Sequence, residues 1–573
     1  MMLAFSVWYT IFAVFLFYGF NTLRLYRAQE RTAQAQLPPR NTTWLPYPGN
    51  IFQFIFNGRK FLEQATYMTS RPASVKIPLF PGLEIYFFQE PETVKEIWRR
   101  SSMLKSVNLR LFFYGYIFGM SPRWLALFRA DNSGPFPKPY PGTTVPPTRR
   151  IHHLLYEGTH TALAGSGFRP TLERLRADLI YRIENVNEQR QEWTEFKDLR
   201  HFVLHNLGGS FICAIFGPSL LHINPTFIDD LAEFNHFVPF LSRGLPRLLV
   251  PQAYRAREKV KDHLKRWYAH ARSHVSNGSG GDDGDADPLW GSSWMKNRQR
   301  ILGSMEGDDD ALASSDLGVA WGSIVNLVPS TIMALVHILA NQDLLERVRK
   351  EIRQTVGDKT PMAEIDLNAL SENDLLSSIY AETLRLHVKL NIVVSSQRDD
   401  LLFGKWHLPK ARIGLINCHV SQMNADFWNT NNGNHPVDSF WAERFLTDPS
   451  NPLSGPVSPN HRRAESQAAQ SISEAKLNPR KKSFTLDGIE GTWVPYGGGQ
   501  LMCPGRFLAK HAIILTCAIL LRDHDLELLT ESIATSSRNF GIGTEQPRDP
   551  VPFRLRKQLR DCEPVRVMDN HYT

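Results

Sequence analysis

The sequence predicts a mainly α-helical chain with a small β-rich lobe behind one N-terminal apolar helix. Three observations predict it. Residues 3–20 run without a single charge. Helix-like stretches recur at 149–164, 227–275 with a break near Pro246 and Pro251, 315–340, 375–390 and 507–521. Short strand-like text (SVKIPLFPGLEIYFF) fills 74–88. With 573 residues, 42% hydrophobic and 11% aromatic, the chain has material for a sizeable core. Its five cysteines (Cys213, Cys418, Cys503, Cys517, Cys562) are few and scattered, which argues against a disulfide framework and for a reducing compartment.

The apolar run 3–20 would be roughly 27 Å long as a helix, close to the hydrocarbon core of a bilayer. It has neither the basic start nor the small-residue cleavage site of a signal peptide. Arg24, Arg27 and Arg31 follow it, which puts the bulk of the chain in the cytosol. Residues 1–22 are therefore expected to be an uncleaved single-pass anchor. Residues 23–50 are basic and proline-rich (Pro38, Pro39, Pro46, Pro48) and read as a stiff hinge. The sequon Asn41-Thr42-Thr43 has no use on the cytosolic side. Residues 51–573 then form one large domain with insertions near 277–310 and 451–482.

Within it, 101–147 is aromatic and proline-rich, with Phe112, Phe113, Tyr114, Tyr116 and Phe118 clustered. It reads either as a packed loop or as an exposed one that touches lipid. The acidic stretches 277–287 and 306–310 read as solvated surface loops rather than metal sites. Segment 315–340 is a long apolar helix, too polar at its centre to span a membrane, that Pro329 should kink. Ser371 and Asp374 look like a capping box starting the helix at 375. The net charge of +8 and pI near 9.1 suit an acidic partner or an anionic membrane surface. No nucleic-acid-binding motif accompanies that charge.

The stretch that carries chemistry is WVPYGGGQLMCPGR, residues 493–506. Three glycines allow a tight backbone, and Cys503 follows them at the start of an apolar helix. Helix-end N–H groups and the dipole favour a thiolate there, by about 0.3–2 kcal/mol. Burying an unpaired anion costs several kcal/mol. A buried thiolate at this place therefore needs a cation, and haem iron is one such cation. The plainer alternative is a glycine turn with an inert cysteine. A zinc site lacks a second cysteine or histidine at ligand spacing.

Tyr496, Gly499, Cys503, Gly505 and Ala509 resemble the haem-binding loop of the cytochrome P450 family. Tyr496 stands where that family usually has Phe. Leu501 stands where an Arg or His usually meets a haem propionate. Glu382 and Arg385, three apart on one helical face, and Arg444 in Trp441-Ala442-Glu443-Arg444-Phe445 match two further family motifs in the expected order. The resemblance, spanning about residues 37–556, implies the cytochrome P450 fold and heme b with Cys503 as axial thiolate. It also implies a buried structural triad of Glu382, Arg385 and Arg444, and makes Arg398 a candidate propionate ligand in place of Leu501. Residues 535–550 and 390–394 match pocket-lining segments, and their apolar character implies a hydrophobic small-molecule substrate.

The distal helix departs from the family's common pattern of an acid followed by Thr. Val325 takes the acid's place and Asn326 the threonine's. The order Trp321, Ser323, Asn326, Pro329 resembles the branch of sterol 7α-hydroxylase and prostacyclin synthase. Asn326, with Ser323, becomes the candidate for handling protons through a bound water. Otherwise Asn326 merely satisfies a backbone carbonyl. No flavin or nicotinamide motif is present, so electrons should come from a partner, which the resemblance implies is an NADPH-cytochrome P450 reductase of the endoplasmic reticulum. The motif wording resembles filamentous-fungal members, which implies terpenoid, steroid or polyketide-like tailoring in secondary metabolite biosynthesis. Two rivals remain. One is an oxygen-independent isomerase or dehydratase of prostacyclin-synthase type. The other is a non-catalytic haem-binding protein.

Overall fold

The computed structural model describes residues 36–558 and scattered positions from 12 to 27, apart from segments 42–47, 67–73, 81–82, 105–106, 187–191, 275–282, 306–307, 397–398 and 469–481. Most of the expected anchor and the candidate Arg398 thus lie outside the described residues. The positions that are described between 12 and 20 have helical backbone, and Phe12, Val14, Leu16, Phe17 and Phe20 expose their side chains.

Helices dominate, and strands are gathered in small sheets. Val75–Phe80 and Leu83–Phe87 form an antiparallel hairpin. Ile413–Asn417 joins it in parallel, and Asn391–Val394 completes the four-stranded sheet. A second sheet pairs His524–Leu528, Phe553–Lys557 and Thr194–Phe196. Alternation explains the second: Leu526, Phe553 and Leu555 are buried while Glu527 and Arg554 pair outside.

The expected break in 227–275 is present, between Phe227–Leu241 and Pro251–Ser273. Three long helical stretches were not foreseen: Phe168–Asn185, residues 199–216, and Gln342–Val356. The first was legible, since Leu172, Leu175, Leu179 and Ile183 recur at helical spacing and are all buried.

Several expectations are corrected. The long central helix is two helices, Asp309–Ile324 and Leu327–Leu339, parted at Val325 and Asn326 rather than at Pro329. Proline has no N–H, so it offers nothing to the carbonyl four residues back, that of Val325, and its ring crowds that carbonyl. The chain yields there, one turn early. By length and composition the pair could cross a membrane, yet it is 78% buried inside the fold. It is a core element.

Asp308 is not on a solvated loop but is the N-cap of the first of these helices, accepting from Ala311 N at 2.7 Å. Asp310 beside it pairs with the buried Lys261 at 2.8 Å. The helix Asp374–His387 is capped by Asn373, which accepts from Leu376 N at 3.0 Å. Ser371 belongs to the preceding helix, Leu367–Glu372, and hydrogen-bonds within it. In the aromatic stretch, Ile117 and Phe118 are buried, and Phe118 packs 5.9 Å from Trp321; Tyr116 is the exposed aromatic. Phe113 and Phe118 thus face the core helix, while Tyr116 stays on the surface.

Candidate active site

The loop around Cys503 is shaped by what lies beneath it. Gly497 and Gly499 have φ of +73° and +59°, a region L side chains rarely adopt. A Cβ on Gly498 would stand 2.5 Å from the Trp98 ring, and one on Gly499 would overlap the Ser101 side chain. The loop therefore lies directly on the helix Pro91–Arg99 and on Ser101, whose hydroxyl accepts from Gln500 N at 2.9 Å. Cys503 N donates to Tyr496 O at 3.0 Å and closes the turn. Gly505 then caps the helix Arg506–Asp523.

Cys503 is exposed, whereas Cys213, Cys418 and Cys517 are buried. Burial pushes those three thiols up to about 12, which makes them inert. Cys503 is open on one side and walled by protein elsewhere. Desolvation raises its thiol, while the N–H groups of Gly505 and Arg506 and the Arg506 guanidinium oppose that rise. A thiolate here has donors but no full counter-charge, so the donor set suits a bound cation on the open side. These residues fit a haem iron.

Behind the loop, the Tyr496 hydroxyl meets that of Tyr380 at 2.7 Å; Tyr380 is buried and Tyr496 half-buried. Trp493 Nε1 donates to Ala381 O at 3.2 Å. The replacement of Phe by Tyr is thus matched by a partner on the helix Asp374–His387. Nothing in sequence proximity signalled it.

Glu382, Arg385 and Arg444 are brought together with no exposure at all. Arg385 grips Glu382 through Nε at 2.7 Å and Nη2 at 2.8 Å. Arg444 Nε donates to the same carboxylate at 3.0 Å, and Trp441 N at 3.2 Å. Further guanidinium N–H groups serve the carbonyls of Gln422, Asn429, Pro436 and Ser439. The two arginines hold the Glu382 carboxyl below the usual range despite its burial. Four hydrogen bonds from three residues to one carboxylate make this cluster a fastener for the segment 422–444.

On the distal side, residues 311–317 are all buried, after which the helix opens. Gly322 is exposed, and Gly318, Val319, Ser323 and Asn326 are half-buried. At three-to-four spacing these form one face. A Cβ on Gly322 would meet nothing within 4 Å, so that face borders open space. Ser323 turns its hydroxyl back to Val319 O at 2.8 Å. Asn326 Oδ1 accepts from both the N–H and the hydroxyl of buried Thr544, at 3.1 and 3.0 Å. A backbone N–H can only donate, so the amide's orientation is settled: oxygen to Thr544, Nδ2 away. Among the described residues Nδ2 has no partner.

Thr544 belongs to the turn 541–545, which is laced to the chain after the Glu382 helix. Gly541 N donates to Lys389 O at 2.6 Å and Glu545 N to His387 O at 2.8 Å. Beside it runs a buried polar chain. His337 meets His387 at 2.8 Å, Lys389 meets His419 at 2.6 Å, and His419 meets Glu63 at 2.7 Å. Desolvation pushes Lys389 down to about 7. These residues come from four separated segments, so no local sequence pattern could announce them.

Comparison with known proteins agrees with this geometry. The description "Cytochrome P450" matches residues 220–553. The chain is 31% identical to "Cytochrome P450 monooxygenase fsoE" of Humicola fuscoatra, over 97% of this chain and 94% of that one. It is 30% identical to "Cytochrome P450 monooxygenase efuG" of Hormonema carpetanum, over 92% and 91%. A more distant match is rabbit (Oryctolagus cuniculus) "Cytochrome P450 7A1", 22% identical over 57% of this chain and 59% of that one. Among solved structures, retinoic acid bound cyanobacterial CYP120A1 shares the fold with a TM-score of 0.58 at 15% identity, covering 91% of this chain and 99% of that one. With an open cysteine on a glycine cradle, a buried Glu–Arg–Arg cluster and relatives matched along nearly its whole length, the chain belongs to the cytochrome P450 family and is a monooxygenase of it.

Proposed function

We propose that the chain inserts one oxygen atom from dioxygen into a hydrophobic small molecule of terpenoid, steroid or polyketide type, in secondary metabolite biosynthesis. The observation that carries this is Cys503: exposed while the other described cysteines are buried, at a helix start, with donors but no full counter-charge. Haem held by Cys503 supplies the dioxygen chemistry. The chain's own part is to position and to move protons. Val325 can carry none. Asn326 holds its oxygen on Thr544 and presents Nδ2 as a donor to a water or a substrate oxygen. The Val325 carbonyl, deprived of a donor by Pro329, is an acceptor one residue away. Neither group is an acid near neutral pH, so a water held between them would relay protons that come from solvent, a substrate hydroxyl or the Ser323 hydroxyl, which rests on Val319 O. Apolar Ile392 and Ile542, half-buried near this turn, suit a greasy substrate.

The electrons this chemistry needs would come from a reductase that takes NADPH and docks on the face carrying Cys503. Its acidic face suits the side carrying Lys482, Arg506, Lys510 and His511; Arg480 and Lys481 lie outside the described residues. The apolar run 3–20 supports a single-pass membrane anchor, and with the reductase of the endoplasmic reticulum as partner the reading is that membrane, with the catalytic domain in the cytosol. Cys503→Ser is expected to abolish the red-shifted Soret band of the ferrous carbon monoxide adduct; a surviving band refutes the proximal assignment. Incubation with reductase, NADPH and a lipid library should yield oxygenated product. The missing acid–alcohol pair favours one second reading, an isomerase, which turnover without NADPH or dioxygen would establish.

A further inference from the structure

A cluster away from the haem loop has metal-ligand chemistry. His201 and His205 stand four apart on the helical stretch 199–208, their rings 4.1 Å apart and 30° from parallel. Asp229 reaches them from the first turn of another helix, Phe227–Leu241. Its Oδ1 is 2.8 Å from His205 Nε2 and 3.9 Å from His201 Nε2. The three ligand atoms lie within 4.8 Å of one another. A first-row ion with ligands at about 2.0–2.2 Å needs them roughly 3–3.6 Å apart, so small turns of exposed side chains suffice. The side chains are 68%, 32% and 55% exposed and have that freedom.

The surroundings do not fill this site. The chain carries 65 lysines and arginines, yet among the described residues none pairs with Asp229. Its neighbour Asp230 is already taken by Lys259 at 2.7 Å and His263 at 2.6 Å. Arg200 is turned to Asp198 at 2.9 Å. What remains is a carboxylate served by two imidazoles, with the solvent side open for a water ligand.

We propose that His201, His205 and Asp229 bind one borderline divalent cation, zinc in the first instance, bridging the two helices. Imidazole and carboxylate donors in this number suit zinc and its first-row neighbours rather than calcium or magnesium, which take oxygen ligands. The bridged helix carries Asn235, which accepts from Trp321 Nε1 at 2.9 Å on the distal helix. A bound cation therefore pins the start of a helix whose next turns contact the distal helix. The proposal does not rest on the haem chemistry.

The experiment is zinc binding to the full haem-loaded chain without a histidine tag, by calorimetry and by metal content after desalting. The expected result is one tight equivalent and a melting temperature raised by zinc. Loss of a supporting residue outside the ligand set typically costs 10–100-fold in metal affinity, so His201→Ala and Asp229→Asn, which remove ligands, should each cost at least about that much. Haem content should not change, since both residues are exposed. His270 and His274 form a second exposed pair with rings 4.1 Å apart, without a carboxylate among the described residues, so His270→Ala should leave the tight equivalent in place. Absence of that equivalent from the unaltered chain, its survival in both ligand variants, or its loss in His270→Ala overturns the proposal.

Discussion

Replacing Asn326 separates two roles that its amide combines. In Asn326→Leu both Thr544 donors lose their acceptor. Thr544 is fully buried, so water cannot step in for its N–H. Its hydroxyl can rotate to another acceptor, but its N–H cannot move. The expected stability loss is therefore that of one orphaned donor, about 1–3 kcal/mol. The fold, stable by about 5–15 kcal/mol overall, survives this and keeps its haem. Asn326→Asp retains an oxygen toward Thr544 and so should be destabilised less, yet it too lacks the Nδ2 donor. Proton transfer by a positioned group is worth about 10²–10⁴-fold, so product formed per NADPH should fall steeply in both variants. The assay follows NADPH consumed, product formed and peroxide released with reductase present. Peroxide per NADPH should rise in both. An unchanged ratio in both refutes the relay. A rise in the leucine variant alone shows that the Nδ2 donor is dispensable, since the aspartate variant keeps only the oxygen toward Thr544 and a carboxyl that can itself carry protons.

Three further outcomes are expected. Arg444→Met leaves the buried Glu382 carboxylate short of one cation, which should cost about 3–5 kcal/mol and lower the denaturant midpoint and haem content together; an unchanged midpoint removes the fastening role. Lys389 is held near 7 against an ordinary 10.5, so between those values the unfolded chain binds more protons than the folded one. This group then makes stability rise with pH across that window, by at most about 1.4 kcal/mol per unit, and Lys389→Gln should flatten the rise in melting temperature. Lys482→Glu should slow reduction of the haem by the reductase, with the defect shrinking as salt increases; a salt-independent defect assigns the change to misfolding.

What the sequence made legible follows from how narrowly chemistry restricts each position. The glycines before Cys503 are demanded by positive φ and by Trp98 pressing from below, so they stand out as a run. Glu382 and Arg385 sit on one turn, and their pairing is visible at three-residue spacing. Pro329 announced a break, but its effect falls on the carbonyl four residues earlier, which moved the break to Asn326. Asp308 and Asn373 act through single side-chain caps, for which neighbouring residues of similar type compete on paper. The Tyr380–Tyr496 contact, the hold of Thr544 on Asn326 and the chain from His387 to Glu63 join residues far apart in sequence. Only the assembled fold selects those pairs.

The seating of the Cys503 loop on Trp98 and Ser101 bears on how the protein is made. The loop and its seat lie some 399 residues apart along the chain, as the Gln500–Ser101 bond shows. During synthesis the seat emerges first and must wait for nearly the whole domain before its partner appears. Contacts of such separation are slow to form and reward the chain late. The Cys503 turn acquires its shape only once the N-terminal lobe has docked against it. Capture of haem should therefore be among the last events of biogenesis, and chains truncated after the helix Asp374–His387 should accumulate as haem-free, aggregation-prone species.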